Sequence, residues 1–357
     1  MPLEGMSPQR ILIFGAGAVG GYLGAMLHAF GHEVILLGRP PIVEAIRRGG
    51  LTLQRPDGLT LTVRPHAVSE LEAIDKEVDV IFLTVKAYDT EAAIAALRRK
   101  GWGRALLFCW QNGVDGEIQL AEAFGAERVV AGTLTQPVSV IAPGIVRLER
   151  LRGGIGLAPM DRHLDLRQWA MALRMAGFAT RLYADPMAMK WSKLLLNLIA
   201  NATCAILDWS TKQALRDPRA FAIERAAFRE ALSVMGALSL RPVSLPGYPV
   251  PLLAWAMSRG PDALLRPVLS AVGARGRGGK LPALHMDLRR GTRLEVEAYT
   301  GAVVRHGTCI GVPTPVHRAL TEILTGLADG RERPEAWRGN PAALLERAGL
   351  APIRCHP

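Results

Sequence analysis

The chain has 357 residues, 49% of them hydrophobic and 21% charged, the balance of a soluble globular protein with room for two cores. Its formal charge of +11, from 43 Lys and Arg against 32 Asp and Glu, is scattered along the chain. With no basic run interleaved with aromatics, that charge argues against a nucleic-acid partner and suits an anionic small molecule. Cys109, Cys204, Cys309 and Cys355 lie far apart without C-x-x-C or Cys/His metal spacing. Three of them sit in apolar stretches as small core residues of a reducing compartment, so neither a metal site nor a disulfide framework is expected.

Ile11 to Phe14 are four apolar residues suited to a buried parallel strand, and they run directly into Gly15-Ala16-Gly17-Ala18-Val19-Gly20. An apolar helical pattern (Tyr22, Leu23, Met26, Leu27) follows without a gap. In a G-x-G-x-x-G turn, the first glycine lets the chain leave the strand sharply. The second lets the backbone approach a pyrophosphate, and the third lets the helix sit close to the sheet. The N–H groups and positive dipole end of the helix then face the phosphates. Arg10 with the apolar run to Leu27 imitates a signal peptide. The glycine spacing, the strand that follows and the missing disulfide pattern argue against one, and no stretch calls for a membrane span. A cytoplasmic location is expected.

Strands are expected at 33–38, from Val78 to Val85, at 104–109 and from Val129, with a short helix and a small hairpin over 42–64 around Pro56-Asp57-Gly58. This alternation predicts a doubly wound parallel sheet of the Rossmann type. From Gln136 the short pieces around Pro143-Gly144 and Gly153-Gly154 read as antiparallel strands closing the sheet edge. Tyr183-Ala184-Asp185-Pro186 marks the exit from a first domain, 1–185. Helical periods follow at 187–207, 217–239, 249–270, 293–307 and 315–328, with Thr314 expected as N-cap of the last. They predict an all-helical domain over 186–330. A cationic loop, Arg275 to Lys280, separates two of its helices, and 331–357 is a polar C-terminal tail with one helical patch.

The acid that binds the ribose in NAD-type units lies about 20 residues after the glycines. Here that window, Ile35 to Pro40, holds no acid and contains Arg39. A guanidinium forks onto a 2′-phosphate, so NADP is favoured over NAD, unless Arg39 is simply a surface residue. Two further candidates end strands, where open α/β sheets place ligands: Lys86 in Thr84-Val85-Lys86 and Asn112 in Gln111-Asn112-Gly113. Either could serve the nicotinamide end or the substrate; Asn-Gly is also an ordinary turn pair. In the 187–207 helix, Lys193, Asn197 and Asn201 fall at i, i+4 and i+8 among apolar neighbours. A buried ammonium needs a partner such as a substrate oxygen, and the alternative is a narrow solvated stripe.

Together these motifs resemble the ketopantoate reductase (2-dehydropantoate 2-reductase) family over residues 10–330. The resemblance rests on Gly15 to Gly20, Arg39, Thr84-Val85-Lys86-Ala87, Gln111-Asn112-Gly113, and Trp191-Ser192-Lys193-Leu194 with Asn197 and Asn201. It extends through Leu294-Glu295-Val296-Glu297 to Gly301-Ala302-Val303-Val304 and Gly311-Val312-Pro313-Thr314-Pro315. It implies a Rossmann domain followed by a helical domain, with NADPH and a small-molecule 2-keto acid bound in the cleft. It also implies Lys193 as general acid on the keto oxygen, and Asn112 placing cofactor and substrate. Asn197 and Asn201 would line the substrate site, Glu295 would support it, and Arg39 would meet the 2′-phosphate. A homodimer is compatible with this reading.

Three departures stand out. The family's Pro-Ser-Met reads Pro282-Ala283-Leu284, its Thr-Glu-Ile-Asp reads Leu294-Glu295-Val296-Glu297, and the following Asn-Gly reads Thr300-Gly301. The span 240–281 is also longer than in compact members. Alanine cannot donate the hydroxyl hydrogen bond that the family's serine gives the substrate carboxylate, a bond worth about 1.5–3 kcal/mol. The hydride-transfer residues are therefore expected intact and the substrate grip altered. The alternatives are a reductase of the same fold for another 2-keto or imino acid, and a non-catalytic NADP-binding sensor.

Overall fold

The structure, a computed structural model, describes residues 7–276 and 281–351. The chain divides into two compact units, Met1–Lys190 with Leu245–Tyr248, and Trp191–Ser244 with Pro249–Pro357.

The first unit is built on strands β1 (Arg10–Phe14), β2 (Glu33–Leu37), β3 (Leu51–Gln54), β4 (Thr60–Val63), β5 (His66–Val68) and β6 (Val80–Leu83). It continues with β7 (Leu106–Cys109), β8 (Val129–Leu134), β9 (Val138–Ala142), β10 (Ile145–Leu148), β11 (Ile155–Pro159) and β12 (Thr180–Leu182). The main sheet runs β12-β11-β8-β7-β6-β1-β2-β5. It is parallel except where β11 pairs antiparallel with β8. Its helices are α1 (Ala18–Ala29), α2 (Pro40–Gly49), α3 (Thr90–Lys100), α4 (Gly116–Phe124) and α5 (Arg167–Met175).

Both faces of the sheet are covered, as continuous apolar strands demand. Ile11, Ile13, Phe82 and Phe108 enter the core under α1 and α5, with Leu23 and Trp169. Leu12, Ile81, Leu83 and Leu107 point the other way, into the core under α3 and α4, with Leu97 and Leu120. This alternation is the period of two intrinsic to a strand.

The pieces after Gln136 behave differently from expectation. β9 and β10 pair antiparallel with each other, but β10 runs parallel to β3, giving a separate sheet, β4-β3-β10-β9. Of the pieces around Pro143-Gly144 and Gly153-Gly154, β11 joins the main sheet and β9 and β10 do not. The second sheet rests on α1: a Cβ on Gly21 would come within 2.8 Å of Val146 Cγ1, so the glycine after the expected motif lets β10 approach the helix.

The second unit is helical: α6 (Pro186–Leu198, which begins in the first unit), α7 (Ala202–Leu207), α8 (Thr211–Arg216), α9 (Pro218–Ala237), α10 (Val250–Arg259) and α11 (Asp262–Gly276). Then come α12 (Ala283–Arg289), α13 (Thr300–Cys309), α14 (Pro315–Asp329), α15 (Pro334–Trp337) and α16 (Pro341–Arg347). Asp185 starts α6 by accepting the N–H of Ala188 at 2.9 Å, with Pro186 as first helical residue.

Four expectations change. The helix expected over 187–207 is two helices, α6 and α7, because Ala200 takes φ 54 and its N–H is captured by Glu224 Oε2 at 2.7 Å. Thr314 is the N-cap residue of α14 but makes no side-chain cap. Instead the Glu230 carboxylate on α9 takes the N–H groups of Val316 and His317 at 2.8 and 2.9 Å, a charge-assisted cap from another helix. Arg275 and Gly276 belong to the end of α11 rather than a loop, and 277–280 lie outside the described residues. The residues read as a tail include α16, which buries Leu344 and Leu345 and packs on α9.

Candidate active site

In the first unit the expected residues gather at the carboxyl ends of four neighbouring strands, β2, β1, β6 and β7. Gly15 has φ +121, and a Cβ there would lie 2.8 Å from Val85 N; only glycine turns the chain so close to β6. A Cβ on Gly20 would collide with Gly15 O and lie 2.6 Å from Thr84 Oγ1, so this glycine seats the helix on the loop. Gly17 faces open space and is the N-cap of α1. That helix start has no side-chain cap and no acid in its first turn. Uncapped N–H groups, a positive dipole end and room in front of them fit the diphosphate of a dinucleotide.

Arg39 follows Gly38 at the end of β2 and is exposed. Its strand is in register with β1, Leu37 opposite Phe14, and the Leu37 carbonyl accepts the N–H groups of Gly15 and Ala16, each at 3.0 Å, so Arg39 follows two residues after a contact with the glycine turn. Gly38 permits the approach: a Cβ would meet that of Ala16 at 2.8 Å.

Leu83 on β6 is in register with Cys109 on β7, so half-buried Lys86 and Asn112 stand three residues beyond paired positions. Thr84 ties β6 to the glycine loop, donating to Gly15 O at 2.7 Å. Gln111 ties β7 to β6. Its amide donates to the carbonyl oxygens of Val85 and Lys86, each at 3.2 Å, and to Thr90 Oγ1 at 2.9 Å. Below it burial pushes the Cys109 thiol well above its ordinary range, with the Glu117 carboxylate acting the same way. Cys109 is thus an inert core residue, as expected from its apolar setting. Cys204 is buried too, whereas Cys309 is exposed; no cluster able to hold a metal occurs among the described residues.

In the second unit, Lys193 and Asn197 lie one turn apart on α6, both half-buried beside fully buried Leu194 and Leu195. Asn201 does not continue their stripe, because the chain breaks at Ala200. It is the N-cap residue of α7, 4% exposed, and its Oδ1 accepts the N–H of Leu284 at 3.1 Å. The amide thereby joins the start of α7 to the start of α12, where Ala283 is the first helical residue. Glu295 is buried and precedes the 3-10 turn Val296–Ala298, not a helix running from 293.

Three residues that brace these elements lay outside the expected set: Thr84 and Gln111 as cross-links in the first unit, and Glu224 at the helix break in the second. Their sequence signals were slight, polar residues within apolar runs.

A doubly wound sheet with an uncapped glycine-rich helix start, followed by a helical unit carrying a half-buried lysine, defines a two-domain nicotinamide-dinucleotide oxidoreductase. The family described as "Ketopantoate reductase PanE/ApbA" matches residues 11–162, and "Ketopantoate reductase PanE/ApbA C terminal" matches 185–328. The chain belongs to the ketopantoate reductase family. It is 27% identical over 322 residues to a 2-dehydropantoate 2-reductase of Halobacterium salinarum, covering 88% of this chain and 98% of the relative. Among solved structures it is similar to a PanE/ApbA family ketopantoate reductase from Ralstonia eutropha JMP134. That match has a TM-score of 0.77 and 27% identity over 90% of this chain and 99% of the other. It shares the fold of D-mandelate dehydrogenase, solved with NADH and anilino(oxo)acetate, at TM-score 0.76 and 22% identity over 90% and 98% of the two chains. No helix among the described residues is long and apolar enough to cross a membrane.

Proposed function

We propose that this chain reduces the keto group of 2-dehydropantoate to the hydroxyl of pantoate, with NADPH as reductant, in the cytoplasm. The observation that carries the reading is Lys193: an ammonium held half-buried among leucines on α6, within a chain whose two units both match the family.

NADPH, when bound, supplies the hydride. The backbone from Gly15 through Ala16, Gly17, Ala18 and Val19 to Gly20 holds its diphosphate at the start of α1, and Arg39 pairs with the 2′-phosphate. Lys86 and Asn112 take the nicotinamide end, and Asn112 also meets the substrate. Lys193 donates a hydrogen bond to the keto oxygen and gives up its proton as negative charge develops there. Asn197 orients the substrate through its amide. Asn201 shapes the same side by holding the first turn of α12, and Glu295 sets the polar surroundings.

Steady-state NADPH oxidation across a panel of 2-keto acids tests this. We expect 2-dehydropantoate to lead by at least about tenfold in kcat/KM, and no preference for it overturns the assignment of substrate. A second reading, a reductase of another 2-keto or imino acid, draws on Ala283, which brings no hydroxyl to a substrate carboxylate. Tight NADPH binding without oxidation of any acid would instead make the chain a sensor.

A further inference from the structure

Beneath the Gln111-Asn112-Gly113 turn lies a charged pair that the reaction above does not use. Lys190 is 1% exposed, and so is Glu117; Lys190 Nζ stands 2.6 Å from Glu117 Oε1. The same ammonium donates to the carbonyl oxygen of Gln111 at 2.6 Å and, more weakly, to that of Gly132 at 3.4 Å. Burying two opposite charges is expensive. Well-packed apolar side chains of similar volume often give equal or greater stability, so a buried pair by itself is a poor stabiliser. Its effect here is on direction.

The Gln111 carbonyl and the Asn112 N–H belong to one planar peptide group. Fixing that oxygen fixes the plane from which the Asn112 side chain departs. The other end of Gln111 is fixed as well, through its amide bonds to Val85, Lys86 and Thr90. The start of α4 leaves space for it, since a Cβ on Gly116 would fall 2.6 Å from Gln111 Oε1. The residue before Asn112 is therefore clamped at both backbone and side chain, with Lys190 and Glu117 forming the backbone half of the clamp.

We infer that Lys190 and Glu117 are positioning residues that aim Asn112 at the nicotinamide and the substrate. This rests on the reading in which Asn112 serves both, and the test separates the two. The paired change Lys190→Met/Glu117→Leu, which leaves no orphaned charge, is made in the parent and in an Asn112→Ala background. Glu117→Gln, nearly isosteric and still an acceptor, is the second variant. Each is measured for melting temperature and for kcat and KM of NADPH oxidation with 2-dehydropantoate.

A misplacement on the order of 1 Å costs up to about a hundredfold in rate. The expected result is a paired variant melting within about 5 °C of the parent, with kcat down about ten- to a hundredfold and the KM for NADPH within about twofold. Glu117→Gln, which weakens the clamp without removing it, lowers kcat by a smaller factor, at least about twofold. In the Asn112→Ala background the paired change costs less than about threefold, because the residue it aims is gone. Parent-like kcat in a folded paired variant overturns the inference. Should the paired variant not fold, parent-like kcat in Glu117→Gln overturns it. So does a loss that multiplies in full on Asn112→Ala, which would show the pair acting elsewhere. Parent-like kcat in Asn112→Ala itself removes the role of Asn112, and the inference with it.

Discussion

Thr84 donates its hydroxyl to the carbonyl oxygen of Gly15 at 2.7 Å, and a Cβ on Gly20 would fall against both of those oxygens. The glycine loop is therefore braced from β6 on one side and packed by α1 on the other, while Gly17 faces open space. The first and third glycines meet the protein, and the second is left clear of it.

That division predicts opposite behaviour for two alanine substitutions. Gly20→Ala overpacks the loop and destabilises the chain by about 1–3 kcal/mol, lowering the melting temperature. Gly17→Ala leaves the melting temperature near the parent's and weakens NADPH binding, because its new methyl stands where the diphosphate approaches. Calorimetry and NADPH titration of the two variants check this; equal thermal losses would contradict it.

Arg39→Ala should shift the cofactor preference. Losing a charge-assisted bond to the 2′-phosphate costs about 1.5–3 kcal/mol, which raises the KM for NADPH roughly ten- to a hundredfold and leaves that for NADH nearly unchanged. An unchanged NADPH:NADH ratio would make Arg39 a surface residue only.

Lys193→Ala should lower kcat by about 10²- to 10⁴-fold, the range of a general acid, with NADPH affinity retained. Near-normal turnover would remove Lys193 from the acid role.

Ala283→Ser restores a hydroxyl at the first residue of α12. If 2-dehydropantoate is the substrate, a hydrogen bond to its carboxylate is worth about 1.5–3 kcal/mol, and KM for it should fall about tenfold or more. No change in KM would show that the carboxylate is held elsewhere.

Stability should decline on the acid side of neutrality. His285 is buried, with Nε2 2.7 Å from Asp208 Oδ1. Burial pushes its pKa below the ordinary value, outweighing the pull of Asp208. The folded chain thus keeps His285 neutral, and the unfolded chain takes up the proton first as pH falls through about 6.5. The stability is fully present above that value and is lost below it. Burial also favours a neutral Asp208, but hydrogen bonds from Arg289 and His285 outweigh this and hold its carboxyl below the usual range. Its contribution is lost only when pH falls further, below about 4. His28 and His32 are lowered by burial as well. His285→Gln should therefore flatten part, not all, of the fall in melting temperature between about pH 7 and 5; an unaltered slope would exclude His285.

The main sheet, the glycine turn and most helices were legible because their signals are local. A buried parallel strand is an apolar run, as at Ile11–Phe14, and the Gly15-to-Gly20 spacing is set by adjacent residues. The destination of β9 and β10 was not legible, since short alternating strands carry no mark of which sheet they join.

By itself, then, the sequence determined the strand–glycine–helix unit, the absence of an acid after β2, and the lysine on α6. Each depends on contacts or periodicities within a few residues. Only the tertiary structure decided where the lysine's helix stops and what holds the peptide before Asn112. Ala200 takes a left-handed conformation that an alanine does not advertise, held by a glutamate 24 residues away. The Gln111 carbonyl is fixed by a lysine 79 residues along the chain. α14 is capped not by its own threonine but by Glu230, 86 residues before Val316. A buried polar group takes whichever partner the fold brings within reach, and its own sequence neighbourhood does not name that partner.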